Sequence, residues 1–75
     1  MAGFRDRVDL VRKIVRDEGE VSITKLAYMM NVTPQSASHL LKAASEIDRE
    51  IVYYGGVARY VPSDIKEPRG GGREG

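Results

Sequence analysis

Near the N-terminal end of the chain, apolar residues recur at helical intervals. Phe4, Val8, Val11 and Val15 form one stripe, flanked by Leu10 and Ile14. Arg5, Asp6, Arg7, Asp9, Arg12, Lys13 and Arg16 fill the other faces. This pattern predicts an amphipathic helix over residues 4–18, closed by Gly19 as its C-terminal cap. Val8, Val11, Ile14 and Val15 are β-branched and lower its intrinsic propensity, so tertiary packing must hold it. Val21-Ser22-Ile23 is too short for periodicity and reads as a short strand or an extended connection. Ser22 or Thr24 then offers an N-cap for a helix through Met30, with Leu26, Ala27 and Met30 inward and Lys25 off that side.

Asn31-Val32-Thr33-Pro34 interrupts the pattern. Thr33 as N-cap and Pro34 at the first helical position form a strong start signal, because proline lacks an N–H that this position leaves unbonded. The next helix is predicted over residues 34–47. Ala37, Leu40, Leu41, Ala44 and Ile47 face inward, and Gln35, Ser36, Ser38, His39 and Lys42 face out. Two β-prone runs follow, residues 51–54 and 57–61, around Gly55-Gly56. Paired glycines suit a type I′ turn, whose central positions both need positive φ. Pairing Tyr54 with Val57 sets Ile51, Tyr53, Ala58 and Tyr60 on one face, taken as the core side. Val52, Tyr54, Val57 and Arg59 take the other. Residues 63–75 carry Ile65 as their sole sizeable apolar side chain and read as a disordered tail behind one domain spanning residues 1–62.

The predicted order is helix, extended segment, helix, tight turn, helix, hairpin, an α+β arrangement. Between Thr24 and Lys42 the stretch TKLAYMMNVTPQSASHLLK resembles the helix-turn-helix of winged-helix DNA-binding proteins. Leu26-Ala27 matches the Leu-Ala common in the motif's first helix, Val32 the buried valine of its turn, and Thr33 the residue opening the recognition helix. Ala37 corresponds to the small buried residue within that helix, and Leu40-Leu41 to the leucine pair that packs it. The Gly55-Gly56 hairpin looks like the wing, with Arg59-Tyr60 as the basic–aromatic pair of its return strand. The resemblance covers residues 4–61. It implies three helices and a two-stranded wing, with or without a short extra strand at 21–23, and helix 34–47 lying in the major groove of duplex DNA.

Charge position adds more than charge sum. The 12 Lys and Arg against 11 Asp and Glu leave a net charge of only +1, which by itself names no partner. Yet residues 21–45 contain no acid, while Lys25 and Lys42 are basic. The region expected to face nucleic acid is thus free of groups that would oppose a polyanion. The candidate nucleic-acid contacts are Thr33, Gln35, Ser36, Ser38, His39 and Lys42 on the helix and Tyr54 and Arg59 on the wing. Gln35 suits adenine, the two serines either bases or phosphates, His39 a guanine acceptor or a phosphate, and Lys42 a phosphate. Arg5, Arg12 and Arg16 on the first helix read as an ordinary solvated face. Arg69-Gly70-Gly71-Gly72-Arg73 is a sparse arginine–glycine segment that would add backbone contact.

With no cysteine and one histidine, the sequence argues against disulfide scaffolds, zinc sites and cysteine-held clusters, so no cofactor is expected. Ser36 and His39 share helical spacing but have no orienting acid nearby, and the glycines at 70–72 lack the context of a phosphate loop, so no enzyme is expected. The chain has no long apolar run and no hydrophobic leader, which predicts a cytoplasmic protein without membrane partners, nucleoid-associated where it binds DNA. The wide apolar arc of helix 4–18 is a candidate homodimer surface. The leading reading is a transcriptional regulator or chromatin-type accessory factor. The alternative is a winged-helix adaptor for protein or RNA within a polymerase, ribosome or other assembly.

Overall fold

The computed structural model describes residues 3–62, so the expectations for residues 63–75, including the arginine–glycine segment, lie outside the described residues. Three helices, α1 (Phe4–Glu18), α2 (Ile23–Met30) and α3 (Pro34–Ile47), combine with three strands, β1 (Glu20–Ser22), β2 (Ile51–Tyr54) and β3 (Val57–Tyr60). The strands form one antiparallel sheet in the order β1-β3-β2, giving the architecture of a small winged-helix domain.

Local chemistry explains each boundary. Gly19 ends α1 at φ 83°, a value that most L side chains avoid, and its N–H returns to the Val15 carbonyl at 2.8 Å. The extended segment is a strand one residue earlier than expected. Ser22 caps α2 by accepting the Lys25 N–H at 3.1 Å, which draws Ile23 into the helix. Asn31 adopts the left-handed conformation at φ 56°, and the Val32 N–H closes on the Ala27 carbonyl at 3.0 Å. That closure makes the turn between α2 and α3 tight enough for Thr33 to cap α3 at once. Gly55 and Gly56 both carry positive φ, at 63° and 80°, and the hairpin register pairs Tyr54 with Val57 and Ile51 with Tyr60 as the sequence predicts.

One core joins all six elements. Val8, Val11 and Val15 of α1 meet Leu26 and Ala27 of α2, Ala37, Leu40, Leu41 and Ala44 of α3, and Val21, Ile51 and Ala58 of the sheet. Tyr53 and Tyr60 pack against its edge and Val52 and Tyr54 face outward, as the choice of hairpin face requires. Two expected core positions differ. Ile47 is 43% exposed, because Asp48 takes the inward position at that end of α3. Phe4 is 60% exposed, since it lies at the open end of the α1 stripe.

Candidate nucleic-acid interface

The outer face of α3 is built from its first residue. Thr33 Oγ1 accepts the Ser36 N–H at 3.1 Å and satisfies a backbone donor that the helix start leaves unbonded. The same hydroxyl donates to Ser36 Oγ at 3.1 Å. Thr33 is therefore occupied with the helix start, and the Ser36 hydroxyl is tied to Thr33. Gln35, His39 and Lys42 are exposed and recur at helical spacing, so they share one stripe. Ser38 departs from expectation. It is half-buried and shares a 3.1 Å hydrogen bond with the Tyr53 hydroxyl, which turns it toward the hairpin rather than outward.

The wing presents Tyr54, 80% exposed beside the Gly55-Gly56 turn. Arg59 lies on the same face, but its Nε meets Glu20 Oε1 at 3.3 Å across the β1–β3 pair. Lys25 is similarly engaged, with its Nζ 2.9 Å from Glu18 Oε1. Ion pairing therefore sorts the basic residues. Arg5, Arg12, Lys13, Arg16, Lys25 and Arg59 each meet a carboxylate, whereas Arg7, Lys42 and Arg49 meet none among the described residues. Lys42 lies on α3, Arg49 lies two residues past its end, and Arg7 lines a shallow groove against its N-terminal half with Phe4, Ser36, His39 and Leu40. Sequence reading singled out only Lys42 of these three, because pairing depends on which distant carboxylates the fold brings near.

The orientation of the hairpin against α3 rests on a second unanticipated cluster. Asp48, the C-cap of α3, is only 6% exposed. Its Oδ2 accepts from Arg16 Nη2 at 2.9 Å and from Arg12 Nε at 3.2 Å, and its Oδ1 accepts the Glu50 N–H at 3.0 Å. Arg16 also meets Glu50 Oε1 at 3.0 Å and stacks over the Tyr60 ring at 4.9 Å. Two residues expected on a solvated face thus pin α1 to the α3 terminus and to the strands. Burial opposes ionisation of Asp48, but the Glu50 N–H and the Arg16 and Arg12 guanidiniums outweigh it and hold the carboxyl below its ordinary range. The hydrogen bond to Asp48 is the main cause that holds Arg16 above its usual value, against desolvation.

Tyr28 on α2 is 89% exposed, the most open of the large hydrophobic side chains among the described residues, and helical spacing does not single it out. No group of three or more His, Asp or Glu residues is placed to hold a metal ion among the described residues. No helix among them is long and apolar enough to cross a membrane. No family model matches the chain, and no curated protein or solved structure matches it.

Proposed function

We propose that this domain binds duplex DNA, with α3 in the major groove and the β2–β3 hairpin as a wing against the backbone, in the role of a transcriptional regulator or chromatin-type accessory factor. The observation that carries this reading is the outer stripe of α3. Gln35, His39 and Lys42 are exposed together, and Lys42 has no ion-pair partner among the described residues. The stripe lies within an acid-free run spanning residues 21–45, so a polyanion approaching it meets no opposing carboxylate from that segment. Gln35 and His39 supply hydrogen-bonding groups for base edges, and Lys42 supplies a charge for phosphate. Ser38 serves the architecture instead, fixing α3 to the hairpin, and the Glu20 pairing of Arg59 leaves Tyr54 as the main wing contact.

Amide chemical-shift mapping during titration with a short duplex tests the reading. Shifts concentrated at residues 33–42 and at the wing tip support it, and shifts centred on Tyr28 with α3 silent would replace it by an adaptor function. That second reading draws on the nearly complete exposure of Tyr28 and Tyr54, since aromatic side chains are enriched at protein contacts.

A further inference from the structure

Arg7 stands apart from the other basic residues of α1. Arg5 pairs with Asp9, Arg12 with Asp9 and Asp48, Lys13 with Asp17, and Arg16 with Asp48 and Glu50. Arg7 has no carboxylate partner among the described residues, and it lines the groove between α1 and α3 with Phe4, Ser36, His39 and Leu40. Polar and apolar side chains both line the groove. Its polar lining consists of a guanidinium, an imidazole and a hydroxyl, and no carboxylate lines it. Ser36 Oγ accepts from Thr33 Oγ1, which leaves its own proton available to donate into the groove. Its apolar lining is the buried Leu40 side chain and the exposed Phe4 ring.

We propose that this groove seats a backbone phosphodiester of the bound duplex, with Arg7 as its charged ligand, Ser36 and His39 as hydrogen-bond donors, and Phe4 and Leu40 against the flanking sugars. The proposal rests on the DNA-binding reading above. A phosphodiester joins an anionic oxygen pair to less polar sugars, which suits a groove lined by both kinds of side chain. A planar guanidinium engages such an oxygen pair through two parallel hydrogen bonds. His39 belongs both to the groove and to the outer stripe of α3, so a duplex lying on that stripe carries its backbone across Arg7. The groove would thereby fix the depth and register of α3 without reading sequence.

The test is an anisotropy titration of the full chain and of Arg7→Gln, Arg7→Lys and Arg5→Gln with one labelled duplex at several salt concentrations. Arg7→Gln is expected to weaken binding on the order of tenfold at about 50 mM salt and to reduce the log–log salt slope by about one. Arg7→Lys should retain the slope. Arg5→Gln removes the same charge from a paired, outward position and should leave slope and affinity near those of the unaltered chain. Equal effects of Arg7→Gln and Arg5→Gln, or no effect of Arg7→Gln while Lys42→Gln weakens binding, would overturn the groove assignment and leave the DNA-binding reading standing. Absence of binding by the unaltered chain would instead remove that reading and the groove with it.

Discussion

The Arg16 guanidinium and the Asp48 carboxylate meet at 2.9 Å across 32 residues of chain, linking α1 to the point where α3 gives way to the hairpin. Because Asp48 is buried and accepts from three donor groups, its removal leaves Arg12, Arg16 and the Glu50 N–H short of an acceptor together. Asp48→Ala should lower the unfolding free energy by about 2–3 kcal/mol, the cost of losing charged hydrogen bonds whose arginine partners remain open enough to rehydrate. Urea denaturation read by circular dichroism measures it.

The same cluster sets an acid limit. The folded-state pKa of Asp48 lies below its ordinary value, so the folded chain binds fewer protons here than the unfolded chain. Its contribution is therefore fully present above the unfolded pKa of about 3.9 and is lost as pH falls through the lower folded value. The stability difference between the unaltered chain and Asp48→Asn should be constant from neutral pH down to about pH 5 and shrink below pH 4. Thermal melts across that range check the direction.

The Ser38 and Tyr53 hydroxyls add a 3.1 Å hydrogen bond between α3 and β2. Tyr53→Phe should cost about 0.5–1.5 kcal/mol, with Ser38→Ala adding little once Tyr53 is changed. A double-mutant cycle by chemical denaturation reads the coupling. Independent losses from the two changes would mean that the pair does not act as a unit.

Thr33 caps α3 by accepting the Ser36 N–H at 3.1 Å. Thr33→Ala should lose about 1 kcal/mol of stability through the N-cap, and Thr33→Ser should retain most of it. Denaturation midpoints of the two variants separate these outcomes.

Much of the fold was legible because its signals are local. The α1 stripe, the Thr33-Pro34 start and the Gly55-Gly56 turn each specify an element from neighbouring residues, and the paired glycines also fix the hairpin register. Elements made by distant partners were harder to read. Glu20–Ser22 is a strand because β3 offers it an edge, with Val21 opposite Ala58. Arg12 and Arg16 resemble solvated charges until the chain reversal brings Asp48 beneath them. On the candidate interface, the exposed stripe of Gln35, His39 and Lys42 follows from helical spacing alone. The inward turn of Ser38, the pairing of Arg59 and the isolation of Arg7 all depend on side chains from other elements.

In the proposed function, α3 presents a phosphate-binding and base-reading surface to duplex DNA. Fluorescence anisotropy with a random-sequence duplex of roughly 30 base pairs, at about 50 and 200 mM salt, tests it most directly. With Arg7, Lys42 and Arg49 unpaired among the described residues, the log–log salt slope should lie near about −2 to −3, and Lys42→Gln should make it shallower by about one. Failure to bind at the lower salt concentration, up to tens of micromolar protein, would rule out duplex DNA as the ligand of α3.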